Sequence, residues 1–577
     1  MKPLRPLALI LALLSIVQTA PADTSTPIPT PAPGTPQPIF INLSALADWG
    51  TQQPFIDRMK VARAWVGHLP GRWGGVEAHQ LEALGVLDDN GWPTHIPGEL
   101  SSIGTLIMTD LPEEATDLAG RYVLRFEGDG IVEASGRAEN VRYGPNELSF
   151  DFTPGPGGVE LKIQRSDRRG TGDYLRNITV VRADRLDAFD QGAVFNPDFL
   201  AVIKGFQGLR FMDWMQTNGS TQADWAERPQ TDDYTFTRRG IPIEVMIDLA
   251  NTVAADPWLT LPHQGDDMYF RKAAEMVKAR IDPSLQVYVE YSNEVWNWQF
   301  PQATWAEEQG QARWGGDSRW MQFYGMRAAQ MALIWRDVFA DRTDALVTVF
   351  STQAEWLGLE DQALNAPLWR AEDPANPSPH QTFDAYAITG YASALLGHEG
   401  KRAMVQTWLE DSQSRTETDA RAQGLTGSAF DAHIAAHRFD HAITLAQEEL
   451  FDGRHSGDEA NSVRDLMTRV LPYHRDVAAM YGLQLVMYEG GTHVVGHGAL
   501  VDDPALDPFF RAFNYSDEMA VIYAHLLTGW AQITDGPFNI YNDVSRVTKW
   551  GSWGALRYLS DANPRWDMIL QFRDGAR

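Results

Sequence analysis

The chain has 577 residues, and 48 Lys and Arg against 76 Asp and Glu leave a net charge of −28. A surface of that sign repels nucleic-acid phosphates and anionic lipid, so neither is an expected partner, and solubility accounts for the acidity. There is no cysteine, which rules out disulfides, a lipid-modified cysteine and thiolate chemistry.

Residues 1–22 read as an export signal: Lys2 and Arg5 precede an apolar run from Leu7 to Val17, and Ala20-Pro21-Ala22 offers a cleavage site. The run is too short for a comfortable transmembrane helix, although an uncleaved anchor is the alternative. Export without cysteine fits a bacterial periplasmic or secreted protein. Residues 23–38 are mostly Pro, Thr and Ala, a semi-extended linker with nothing to bury.

Residues 39–97 open the folded part with the strand-like FINLSAL, then DWGTQQPFIDRMKVARAWVG, which reads as helical in its second half. From 98 to 185 the character changes. Strand-length runs (IGTLIM, GRYVLRFEG, IVEASG, NELSFDF, GVELKIQRS, RNITVVR) are separated by Gly, Pro and Asn, the spacing of an antiparallel all-β sandwich. From 186 to 577 the rhythm is strand, loop, helix. The strand candidates are GLRFMDW, PWLTLP, VYVEYS, ALVTVFS, AYAITGY, LQLVMYE and FNIYND. With FINLSAL they make eight, which predicts a (β/α)8 TIM barrel carrying its chemistry at the carboxyl ends of the strands. An open doubly wound sheet would show a Gly-rich turn after an early strand, and none is present.

Glu294 follows the fourth strand candidate, and Glu489 ends the seventh. Two carboxylates across a barrel mouth are what glycosidic cleavage requires: one protonates the leaving oxygen, the other attacks the anomeric carbon or activates water. A lone Glu at a strand end is more often a solvated surface group. Glu290, on the inward face of the same strand, reads as a core ion-pair member.

This ordered pair resembles the clan A glycoside hydrolases, which include the family 5 cellulases and mannanases. The resemblance implies a retaining mechanism with Glu294 as acid/base, Asn293 on the sugar 2-hydroxyl and Glu489 as nucleophile. It also implies Arg210 beside the nucleophile, His263 after the third strand, and Tyr391 touching the nucleophile. An aromatic floor after strand eight would be Trp550 or Trp553. Trp296 and Trp298 either present faces to pyranose rings or pack their loop, and His263 is equally a structural histidine. The chain departs from the familiar pattern in one place, with Asn293-Glu294-Val295 where the clan usually has Asn-Glu-Pro. The expected partner is a β-linked polysaccharide or oligosaccharide, with no cofactor and no metal.

Other signals compete. His433, His437 and His441 recur every four residues, a spacing that suits a metal, and a metal-dependent hydrolase is one alternative. The row lacks the HExxH glutamate, and a solvated helix face explains it. A non-catalytic carbohydrate-binding protein on a degenerate barrel is the other alternative. The twenty tryptophans, roughly two to three times the usual share, suit either a core or a sugar-stacking surface. Neither a Walker loop nor a GxSxG elbow is present.

Overall fold

The computed structural model describes residues 37–167 and 169–575. The export signal and nearly all of the linker lie outside them. Eight parallel strands close a barrel in chain order: β1 (Ile39–Asn42), β2 (Gly208–Arg210), β3 (Asp256–Leu261), β4 (Val287–Tyr291), β5 (Leu346–Ser351), β6 (Ala385–Ala392), β7 (Gln484–Thr492) and β8 (Phe538–Ile540). Every one overlaps a strand candidate. The strands read as near-continuous apolar runs because both of their faces are buried. Phe40, Trp258, Tyr288, Val349, Ala385, Ala387, Val486 and Tyr488 fill the interior. The opposite faces, such as Val287, Val289 and Tyr291 of β4, pack under the surrounding helices.

Helix ends follow local chemistry. Asp266 caps Asp267–Arg280 by accepting from the Tyr269 amide at 2.6 Å, and Pro301 opens Pro301–Trp314 where its missing N–H costs nothing. Among the described residues no helix is long and apolar enough to cross a membrane.

Between β1 and β2 two antiparallel sheets form an accessory all-β module. One has the strand order 176–182, 120–127, 147–152, 139–144. The other has the order 75–76, 66–68, 102–107, 159–166, 130–136. They enclose their own core around Trp65, Tyr122, Phe150, Leu161 and Ile163. The antiparallel pairing starts at Val66, ahead of residue 98 where the sequence reading opened the all-β part. The expected helix before it is a single 3₁₀ turn, Arg58–Val61. The physical reason is length: a three-residue strand, Val66–His68, is too short to show alternation, and Asp57 spends its carboxylate on both the Met59 and Val180 amides (3.0 and 2.8 Å). The barrel grips the module through Tyr234, from the loop after β2, whose ring stacks on Trp65 at 5.0 Å.

Candidate active site

Alternation along β4 points Tyr288 and Glu290 inward, and the chain then turns sharply. Ser292 and Glu294 take φ of 61° and 44°, the left-handed region that costs a non-glycine residue roughly 1–2 kcal/mol. The turn is over-determined. The Ser292 amide donates to Leu261 O at 2.8 Å, Gln302 Nε2 donates to Asn293 O at 2.7 Å, and the Asn297 amide donates to Glu294 O at 2.8 Å. Glu294 is thereby held over the mouth.

Glu489 arrives by a different device. Leu485 and Met487 face the helices while Val486 and Tyr488 face the interior, so strict alternation would send Glu489 outward. The register with β6 breaks there: Ile388 pairs with Met487 but Thr389 pairs with Glu489. Tyr488 is thus an extra residue, a bulge, and it re-aims the strand so that Tyr488 and Glu489 both reach the mouth.

Arg210, wholly buried at the end of β2, ties the site together. Its Nη1 donates to Glu489 Oε1 at 2.8 Å and to Asn42 Oδ1 at 3.2 Å, while its Nη2 donates to Asn293 Oδ1 at 2.8 Å and Glu290 Oε2 at 3.0 Å. Glu290 also accepts from Trp258 Nε1 (2.9 Å) and Ser351 Oγ (2.6 Å), which makes it the core ion-pair member. Tyr391 Oη donates to Glu489 Oε2 at 3.1 Å. Tyr488 Oη and Asn297 Nδ2 donate to the two oxygens of Glu294, each at 2.9 Å. Burial pushes Glu489 up to about 8; Arg210 opposes the rise, and Glu294 and Asp213 add to it. Burial raises Glu294 as well, against the hydrogen bonds from Asn297 and Tyr488. Carboxyls coupled in this way bind protons as a pair.

A cavity of about 390 Å³ lies over the pair, lined by Asn293, Glu294, Trp296, Tyr391, Glu489 and Trp553 among others. Arg210 lies beneath it. Three predicted residues are elsewhere. His263 is buried edge-on against Trp305 at 5.2 Å, and burial drops it to about 4, so it stays neutral. Trp550 is exposed, with Lys549 over its ring, whereas Trp553 lines the cavity. Trp298 is half-exposed beside the cavity and packs on Trp320. Of the histidine row, His437 ends one helix and His441 sits in the next. His433, His437 and His441 each meet an aspartate (Asp419, Asp440, Asp411). The continuous helix face expected of them is broken at Arg438 and Phe439.

Sequence reasoning missed Asn218, Tyr488, His493 and Tyr541. Asn218 accepts from both Asn293 and Gln302. Tyr541 lies one residue beyond β8 and packs edge-to-face on Trp553 at 5.3 Å. Its position at the end of the FNIYND run was the available signal. His493 stacks on Trp553 at 4.2 Å.

No family model and no curated protein matches the sequence. Solved structures overlap it loosely. The CBM22-1 and GH10 modules of an endo-1,4-β-D-xylanase from Clostridium thermocellum, complexed with xylohexaose, share 10% identity at a TM-score of 0.33, over 84% of this chain and 93% of that one. The family 51 α-L-arabinofuranosidase AbfB of Bifidobacterium longum shares 11% at 0.29, over 63% and 61%. An endo-1,4-β-D-mannanase of Thermotoga petrophila shares 10% at 0.18, over 57% and 94%. Overlaps this loose carry no weight for the chemistry.

Proposed function

We propose that the protein is an exported, retaining glycoside hydrolase acting on a β-linked polysaccharide or oligosaccharide. One observation carries the reading: Glu294 and Glu489, delivered by a strained turn and a bulge, line one cavity at the carboxyl ends of the strands. Burial raises both carboxyls, so the pair holds a proton more tightly than an ordinary carboxyl does. Only Glu489 touches a cation, so the negative charge belongs there and the proton on Glu294. Glu489 attacks the anomeric carbon while Glu294 protonates the departing oxygen. A glycosyl ester to Glu489 forms as the glycosidic bond breaks. Glu294 then takes a proton from water, which opens the ester with a second inversion. Asn293, fixed by Arg210 and Asn218, presents its amide beside the reacting ring.

The row of Trp298, Trp320 and Trp356 beside the cavity, with ring centroids 5.1 and 6.3 Å apart, supports a chain-like substrate over a small glycoside. Proton NMR of the first product from a panel of β-linked glycans tests the reading. Retained anomeric configuration is expected; inverted product, or no hydrolysis of any β-glycan, overturns it.

A further inference from the structure

A second cavity lies away from the barrel mouth. About 550 Å³ opens over the outer face of the five-stranded sheet, lined by residues that include Arg72, Trp73, Glu133, Lys162 and Arg165. The sequence builds this face by alternation: Leu161 and Ile163 point into the module core, while Glu160, Lys162 and Gln164 point out. A register shift, Ile131 pairing with Arg165 but Val132 with Ile163, skips Gln164 and brings Arg165 to the outer side as well.

Trp73 is 57% exposed yet held in place. Its Nε1 donates to Glu160 Oε1 at 2.7 Å. The turn that carries it is closed by Leu69 N to Gly74 O (3.2 Å) and Arg72 N to Leu69 O (3.0 Å). It is anchored by the Gly74 amide donating to Nδ1 of buried His68 at 2.9 Å. Gly104 leaves room for the His68 ring, since a Cβ there would come within 2.5 Å of Nε2. A large indole is therefore presented to water in a fixed orientation, at no further ordering cost on binding.

The charge around it has the sign opposite to that of the whole molecule. Lys162 is neutralised by Glu160 at 2.7 Å, while Glu133 accepts from the neutral Gln164 and keeps its negative charge. Arg72 and Arg165, however, have no ion pair among the described residues. In a chain of net charge −28, two unpaired guanidinium groups against the one carboxylate of Glu133 leave a local positive excess beside the rigid indole, and guanidinium pairs bidentately with carboxylate and sulfate.

We propose that this face is a second glycan site, separate from the cleft, which binds a polysaccharide bearing carboxylate or sulfate groups: Trp73 stacks on a sugar ring and Arg72 and Arg165 take the anionic substituents. The site does not depend on the hydrolytic reading of the cleft.

The test uses the full chain carrying Glu489→Gln, so that no probe is cleaved, and calorimetric titration with three hexasaccharides: a polyuronate, a sulfated galactan and a neutral β-1,4-xylan fragment. Binding of the uronate or the sulfated probe is expected, weakened about tenfold or more by Trp73→Ala and abolished by R72E/R165E. All three positions are exposed, so unfolding should be unaltered in both variants. Which probe binds tells carboxylate from sulfate recognition. No binding of either anionic probe, or binding indifferent to these variants, overturns the proposal. So does a neutral hexamer that binds as tightly and loses as much with Trp73→Ala.

Discussion

The barrel mouth and the outer face of the five-stranded sheet both set arginine beside tryptophan, and they treat the charge in opposite ways. At the mouth Arg210 and Glu290 are fully buried, Glu489 is 7% exposed, and each is hydrogen-bonded to the others or to neutral donors. On the sheet face Arg72 and Arg165 stand in water without an ion-pair partner among the described residues. Burial is what moves a carboxyl far from its ordinary value, so the mouth is suited to proton transfer. Exposed guanidinium groups carry little desolvation cost and have open donors, so the sheet face is suited to holding a ligand.

The sharpest way to break this contrast is to disable one region at a time. Glu489→Ala should lower turnover about 10⁴-fold or more on every substrate, because no glycosyl ester can form. Trp73→Ala should leave initial rates on a small aryl glycoside unchanged. Glu294→Ala should keep the first step on an activated aryl glycoside, and azide should restore turnover as a glycosyl azide of retained configuration. Azide product from the Glu489 variant should be inverted, since azide then replaces the missing carboxylate. Exchanged stereochemistry would swap the two roles.

Arg210→Met comes next. It should cost about 10²- to 10³-fold in kcat/KM, comparable to removing a preorganised electrostatic group. It should also move the acidic limb of the pH–rate profile upward, because Arg210 is what pulls Glu489 down. Removing one partner of a buried ion pair costs about 3–5 kcal/mol of stability, so Arg210→Lys serves as the folded control. A pH profile that stays in place in both variants would detach Arg210 from Glu489.

How far the sequence could be read differs between these regions for a physical reason. The eight barrel strands were legible because each is buried on both faces and reads as a long apolar run between turn residues. The Glu294 and Glu489 positions followed from strand ends. The bulge at Tyr488 was not legible: Leu485, Met487 and Glu489 share one parity, and only pairing with β6 shows the face exchange. His263 looked like a site residue from its place after a strand, yet a tertiary contact with Trp305 decides its burial. The module's first strands, three and two residues long, fall below the length at which period-two alternation registers at all.

The buried carboxyls at the mouth also predict a pH dependence of stability, measurable by thermal unfolding at pH 5 and pH 8. Glu294 and Glu489 both have an ordinary value of 4.5, and burial raises both in the fold. The native pair thus keeps, on Glu294, a proton that the unfolded chain releases, and stability falls as pH rises above the ordinary value. Asp213 and Asp543, each raised to about 6, act in the same direction. The melting temperature should therefore be lower at pH 8 by a few degrees. Glu294→Gln, which cannot ionise, should flatten the slope and raise the pH 8 value. An unchanged slope would mean that the pair does not hold the proton on Glu294.

The smallest expected effect concerns the tryptophans beside the cleft, which resemble the sheet face in exposure but the mouth in position. Trp356 is 50% exposed and belongs to the row that runs out from Trp298. Glu355, its neighbour in sequence, lines the cavity and receives Arg469 Nη2 at 2.7 Å, which fixes the loop. A sugar ring stacked there lies outside the reacting unit, so its binding energy helps only substrates long enough to reach it. An aromatic contact contributes about 0.5–1.5 kcal/mol, so Trp356→Ala should raise KM about threefold to tenfold on the cleaved polysaccharide. It should leave kcat and all aryl-glycoside kinetics unchanged. A loss on the aryl glycoside would show that the substitution disturbs the mouth itself, and no loss on the polymer would confine the glycan to the cavity.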